Sequence, residues 1–256
     1  TIQRTVGAST ALVLSSLASY GRRALIKRGV PFVVPGRQLF LPQLMIDLRE
    51  HFPRPGPSAG HVLSAGAQCV LLAHLVRQPI EGLSMRGIAD LLNYSPMAIS
   101  KIGKELEAFE LCELEVHGRS RRFRFITQGG GLWERAETLL CSPVKKKRWL
   151  VKCNGKMPGM VAGLTALSAE TDISDDRIPT HAVFGRELRD LEASGTVALA
   201  ETHDDAIASL EGWAYDPGVL AQGERVDPLS LYLSLRESPD ERVQTALDEL
   251  LEDVTW

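Results

Sequence analysis

Four arginines, Arg119, Arg121, Arg122 and Arg124, fall within six residues, and Phe123 and Phe125 alternate with the last of them. Successive side chains of an extended strand point to opposite faces, so a strand here buries the two phenylalanines and displays Arg122 and Arg124 on the other side. Four guanidinium groups on one short segment need compensating anions, and nucleic-acid phosphates are a natural supply. A second group lies just upstream. Ile99, Ile102, Leu106 and Phe109 recur at helical spacing, and with these turned inward, Met97, Ser100, Lys101 and Lys104 face outward near the helix start, which Ser95 heads. In a major groove the two lysines would meet phosphates or guanine edges, Ser100 would donate, and Met97 would touch a thymine methyl. Glu105, Glu107 and Glu110 share this helix, and sequence does not fix which way they point. A third cluster, Lys145, Lys146 and Lys147 followed by Arg148, precedes Trp149 and suits either flanking phosphates or a partner protein.

Side chains suited to catalysis do not assemble in the same way. There is no HExxH, GxxxxGK[ST] or GxSxG pattern, and no GxGxxG at a strand-to-helix turn. Gly129, Gly130 and Gly131 lack a following Lys-Ser/Thr and are expected to form a flexible turn. Asp172, Asp175 and Asp176 read as solvated loop acids, although they have the oxygen chemistry a divalent cation takes. Asp204 and Asp205, after Gly195 and Thr196, are adjacent; on a strand they would point apart and could not chelate one ion. His51, His61, His181 and His203 have no companions at ligand spacing, and Cys69, Cys112, Cys141 and Cys153 form no CxxC pair. The expectation is a non-enzymatic protein with no metal, no cofactor and reduced thiols.

The elements that must position the basic groups follow from periodicity and punctuation. Helix is expected over 11–28, closed by Gly29, then a hairpin of 31–34 against 38–41 around Pro35-Gly36, then helix over 44–52. Three prolines in 52–58 mark a linker. Beyond it come an amphipathic helix over 65–77, a second helix capped by Ser84 with Ile88, Leu91 and Leu92 inward, and a third opened by Ser95 with Pro96 in its first turn. Two extended runs, 112–116 and 121–126, follow across a turn that includes His117. A helix over 132–140 and a strand opening at 145 come next. The remainder mixes strands near 180–184, 196–200 and 213–215 with helices over 228–235 and 239–252, the last capped by Ser238.

The 256 residues, 44% hydrophobic and 24% charged, exclude disordered, collagenous and coiled-coil classes. A net charge of −3 conceals a division. Residues 1–60 carry 8 Lys/Arg against 2 Asp/Glu (+6), 61–150 carry 13 against 9 (+4), and 151–256 carry 8 against 21 (−13). The front suits a polyanion and the back a basic protein surface. No apolar run is long enough to span a bilayer, and the positive charges near 11–17 mostly follow the apolar stretch rather than precede it, so a cytoplasmic protein is expected.

The order helix, helix, turn, helix, hairpin over 61–126, with the string IADLLNYSPMAISKIGKELEAFEL, resembles the winged helix-turn-helix domains of MarR-type regulators. The stretches AGLTALSAET, IPTHAVFG and VDPLSLYLSL, behind such a domain, look like AbiE-type (type IV) antitoxin-regulators, from which the chain departs in its basic segment 1–60. With the linker and the charge division, the expectation is an α+β protein of three parts: a basic helix and hairpin segment (1–60), a winged-helix DNA-binding domain (61–150), as the resemblance implies, and an acidic α+β partner-binding domain (151–256). The resemblance implies a repressor of its own operon, double-stranded operator DNA and a cognate toxin as partners, and a homodimer reading two half-sites. The alternative is a protein-interaction module whose winged helix is a scaffold and whose acidic domain grips a basic partner.

Overall fold

A computed structural model describes residues 10–15, 17, 19–35, 38–44, 46–49, 62–76, 80–118 and 120–256. The chain is α+β, with nine α-helices and three sheets among those residues. At the front, Leu12–Val13 (β1) runs parallel to Phe32–Val34 (β2), with the Leu12 and Leu14 N–H groups donating to Pro31 and Val33 carbonyls, both at 2.9 Å. The helix expected over 11–28 is therefore confined to Ser19–Lys27 (α1), because a strand twenty residues along captures the backbone of the first part. Gly29, at φ +61°, closes α1 as expected: its N–H reaches Ile26 O and Val30 N–H reaches Leu25 O, each at 2.9 Å. The hairpin forms between β2 and Gln38–Leu41 (β3). Where helix was expected over 44–52, Ile46–Arg49 (β4) instead pairs with β3 after a tight 3-10 turn at Pro42–Leu44, which folds the chain back onto that open edge. The expected linker at 52–58 lies outside the described residues.

Three helices follow, Ala65–Val76 (α2), Met85–Leu92 (α3) and Pro96–Ala108 (α4), then an antiparallel hairpin of Cys112–His117 (β5) and Ser120–Phe125 (β6). Helix α2 is not amphipathic: every residue from Ala67 to Leu75 is buried. It lies between α4 and a C-terminal helix, Pro228–Leu235 (α8), so no side faces water. Gln68 meets its polar needs there by bonding the Cys141 backbone, donating to its carbonyl and accepting from its N–H, at 2.8 and 3.0 Å. Gly129–Ala136 forms α5, so the three glycines expected to be a turn instead begin a helix, with Trp256 lying over Gly129 and Gly130.

The back half holds a five-stranded sheet in the order β10-β7-β11-β9-β8: Val144–Cys153 (β7), Met160–Ala162 (β8), Thr180–Phe184 (β9), Val197–Leu199 (β10) and Ala208–Trp213 (β11). Only β9 and β11 are parallel, a crossover made through Gly185–Ala193 (α7). The strand expected at 213–215 ends at Trp213, and β7 runs across the expected boundary between 150 and 151. Gly163–Ser168 (α6), α8 and Glu241–Asp253 (α9) pack on the opposite side from α7. Asp240 rather than Ser238 caps α9, its Oδ1 accepting the Arg242 N–H at 2.9 Å. One apolar core runs from Leu63 in front of α2 through α4 and α5 to Leu251 in α9, while Leu150, Val183, Leu188, Val197 and Leu210 form a smaller one beneath α7. Arg22 of α1 meets Asp248 of α9 at 2.9 Å. No helix among the described residues is long and apolar enough to cross a membrane.

Candidate nucleic-acid interface

Local chemistry fixes the turn between α3 and α4. The Ser84 hydroxyl accepts the Gly87 N–H at 3.1 Å to start α3, and Asn93 ends it in the left-handed region at φ 57°. Ser95 then opens α4 by accepting the Ala98 N–H at 3.1 Å, with Pro96 at the first position, where a missing donor costs nothing. Ile99, Ile102 and Leu106 are buried, and Phe109, half-buried, caps the end. Two glycines bring the neighbours close. A methyl on Gly66 would stand 2.9 Å from Ile102 Cδ1, and one on Gly103 would stand 2.9 Å from Leu114 Cδ2 and 3.2 Å from Phe123 Cζ. They let α2 and the hairpin seat directly on α4.

The outward face of α4 carries the residues expected there. Met97 is 83% exposed, Lys101 and Lys104 are exposed and have no ion-pair partner among the described residues, and Ser100 is half-buried. Of the three carboxylates expected on this helix, Glu110 instead lies beyond its end at φ 55°, and each of the three turns to a structural partner. Glu105 accepts the Ser64 N–H and hydroxyl at 2.6 and 2.8 Å, holding the residue that begins α2. Glu107 accepts the Leu114 N–H at 3.2 Å, and Glu110 meets Arg135 at 3.3 Å. Exposed Arg86 on α3 adds another cation without an ion pair among the described residues.

The hairpin differs from expectation. Phe123 and Phe125 are buried as the alternation requires, and Phe125 stacks on His74 with ring centroids 4.1 Å apart. His74 accepts the Ile80 N–H through Nδ1 at 3.2 Å, which leaves its Nε2 to donate to Gln128 Oε1 at 2.9 Å; burial holds its pKa down, in the neutral form this bonding needs. Arg124, however, has its anions within the ladder. The register sets Glu113 opposite Arg124 and Glu115 opposite Arg122, and the Arg124 guanidinium bonds Glu113 and also reaches Glu115 at 2.6 Å. Glu113 first, and Glu115 after it, hold the proton on Arg124 more firmly. Arg122 is half-buried, its Nε enclosed without a hydrogen-bond partner. Arg121 is exposed opposite Val116, which is 71% exposed. Arg119 lies outside the described residues.

Comparison with protein-family models, curated proteins and solved structures finds no match. The geometry of the chain itself must carry the functional argument.

On β7 the basic cluster is consumed by the fold. Lys146 and Arg148 both reach Glu192 of α7 at 2.9 Å, and the Lys146 ammonium, helped by Arg148, holds that carboxyl below the usual range. Lys147 lies 3.7 Å from Glu211 of β11 and 4.9 Å from the centre of the Trp149 ring. Of the three expected lysines, Lys145 alone is exposed without an ion pair among the described residues. Met97, Ser100, Lys101 and Lys104 thus stay together on one helix face, whereas Arg124, Lys146 and Lys147 leave the set of free cations. Asp172, Asp175 and Asp176 line a groove beside α9, and Asp204 and Asp205 sit in the loop before β11. Among the described residues no three His, Cys, Asp or Glu side chains gather as a metal site. Arg86 was legible in principle, since the buried Ile88, Ala89 and Leu92 leave its position outward.

Proposed function

We propose that this protein is a sequence-specific DNA-binding transcriptional regulator in which α2, α3, α4 and the β5–β6 hairpin act as a winged helix-turn-helix. In this reading α4 enters the major groove, Met97, Ser100 and Lys104 meet base edges, and Lys101 with Arg86 and Arg121 meets phosphates. The observation that carries it is the division of labour on α4: its two carboxylates, Glu105 and Glu107, serve neighbouring elements, so its exposed face keeps two ammonium groups, without an ion pair among the described residues, around a bare methionine. A methionine 83% exposed on an otherwise polar face lacks a role in the fold and suits contact with a base methyl.

The test is fluorescence anisotropy with the DNA upstream of the protein's own gene, at two salt concentrations. Binding tighter than to scrambled DNA, with log affinity falling linearly against log salt, supports the reading. Equal affinity for both sequences, or a Lys101→Glu/Lys104→Glu variant that binds as the parent does, overturns it. Within this reading, the AbiE-like stretches support an autorepressing antitoxin. Co-purification with a nucleotidyltransferase-like protein encoded beside it tests that finer proposal.

A further inference from the structure

Where α8 meets α2, the fold encloses a carboxyl group and no cation to balance it. Asp227 is fully buried and caps α8, its Oδ1 accepting the Ser230 N–H at 2.8 Å. Its Oδ2 is enclosed too, with no hydrogen-bond partner among the described residues. Buried groups tie this first turn of α8 to α2: the Ser230 hydroxyl bonds that of Tyr215 at 2.8 Å, and Gln68 of α2 donates to the same phenol oxygen at 3.4 Å. The titratable side chains around the carboxyl are themselves acids. Its charge bears on Cys69 of α2 and on Tyr215, while Tyr94, from the α3–α4 turn, and Asp216, ahead of α8, act on the same thiol. Burial pushes the Cys69 thiol up to about 12 and lifts both tyrosines well above the usual phenol range, so all three are neutral near pH 7. Arg225, just before this turn, is exposed and held by Glu170 at 2.7 Å.

We infer that Asp227 is a proton-operated switch in the seam between α2 and α8: as the neutral acid it lets the two helices pack, and as the anion it leaves an unpaired charge between them and loosens the seam. A carboxylate taken from water into a site without a cation keeps its charge only at a cost that one cap hydrogen bond does not offset, so the neutral form is favoured. Burial accordingly raises the Asp227 carboxyl to about 6, against the Ser230 bonds, which favour the anion. In the unfolded chain an aspartate gives up its proton near pH 4. The folded state therefore holds the extra proton between these values, and the stability it contributes is full below about pH 4 and lost as pH rises through about 6. Gly66 seats α2 directly on α4, so a change in this seam reaches α4 through a single helix. The inference does not depend on α4 reading DNA.

Urea denaturation of the full chain from about pH 5 to about pH 8, beside Asp227→Asn, tests it. Asparagine also caps a helix, so the variant keeps the bond to Ser230 and removes only the charge. His74 and His181, which burial also perturbs, are common to both proteins and cancel in the ratio of their folding constants. That ratio, parent over variant, is expected to fall about tenfold across the range, with most of the change below about pH 6.5. A ratio constant with pH overturns the inference. Hydrogen exchange, corrected for its intrinsic pH dependence, reads the seam itself: amides of α2 and α8 in the parent should lose protection at the higher pH, and equal protection at both overturns the loosening. Carbon-13 NMR of the Asp227 carboxyl in the parent needs no variant. Titration near pH 6 is expected, and titration at the ordinary aspartate value overturns the switch.

Discussion

Helix α4 and strand β7 both carry clustered basic residues, yet the fold uses them in opposite ways. On α4 the acids are spent on structure, Glu105 on Ser64 and Glu107 on Leu114, and the lysines are left over. On β7 the cations of the 145–148 cluster are mostly spent, Lys146 and Arg148 on Glu192 and Lys147 on Glu211, and among the described residues Lys145 and, further along, Lys152 are left without an ion pair. A basic cluster is therefore a functional surface only after the fold's own anions have been subtracted. The hairpin falls between the two cases, with Arg124 neutralised by Glu113 and Glu115 and Arg121 exposed without an ion pair among the described residues.

The largest effect should come from reversing the charges on α4. Lys101→Glu/Lys104→Glu is expected to weaken binding to operator DNA by roughly a hundredfold, with a shallower salt dependence, since two cations proposed to face the duplex become repulsive. Lys146→Gln/Lys147→Gln should change affinity by less than about threefold, because those ammonium groups are already paired. Titrations of both variants side by side break the comparison if the β7 substitutions prove as damaging as those on α4.

Much of α4 was legible beforehand, and the reason is locality. Ser95 and Pro96 announce a helix start within two residues, and the Ile99, Ile102, Leu106 stripe fixes which side faces inward without reference to distant chain. The failures are non-local. Nothing near Leu12 announces that it will pair with Phe32, so a stretch of good helical composition became β1. Glu192 lies more than forty residues from the lysine and arginine it neutralises, and no spacing rule joins them. Arg124 is intermediate. Glu113 and Glu115 share the period of Arg122 and Arg124, and a two-residue turn sets them opposite one another, so the pairing was present in the alternation but hidden until the register was known. Gly66 and Gly103 were silent for a related reason, since a helical glycine shows its purpose only when the element that crosses it is in place.

Gly103 offers the next largest effect. Gly103→Ala places a methyl 2.9 Å from Leu114 Cδ2 in a packed interface, and overpacking of this kind costs about 1–3 kcal/mol, against which a helix-interior alanine returns up to about 1 kcal/mol. Net destabilisation on urea denaturation, with weaker DNA binding from a displaced hairpin, is the expected outcome. A variant more stable than the parent would mean that the hairpin is loosely seated and that α4 acts without it.

A smaller and opposite effect sharpens the intermediate status of the hairpin. Glu113→Gln/Glu115→Gln keeps polar groups beside Arg124 but removes both neutralising charges. If β6 lies against DNA, the released guanidinium should raise affinity by about threefold and steepen the salt slope by about one. Unchanged affinity would show that this face of the hairpin looks away from the duplex and would leave Arg121 as its only contributor among the described residues.

The smallest effect is the most direct test of the contrast between helix and strand. Glu192→Gln removes the one carboxylate shared by Lys146 and Arg148, whose side chains remain 34% and 38% exposed. Because water screens both cations, the loss of stability should not exceed about 1 kcal/mol, read as a shift in the urea midpoint with an unchanged slope. The same variant sets two cations free on β7. DNA affinity should nonetheless stay constant if those cations serve only to fasten β7 to α7. A gain in affinity with a steeper salt dependence would instead mean that β7 lies beside the duplex, held in reserve by Glu192, and the strand would then resemble α4 more closely than its pairing suggests.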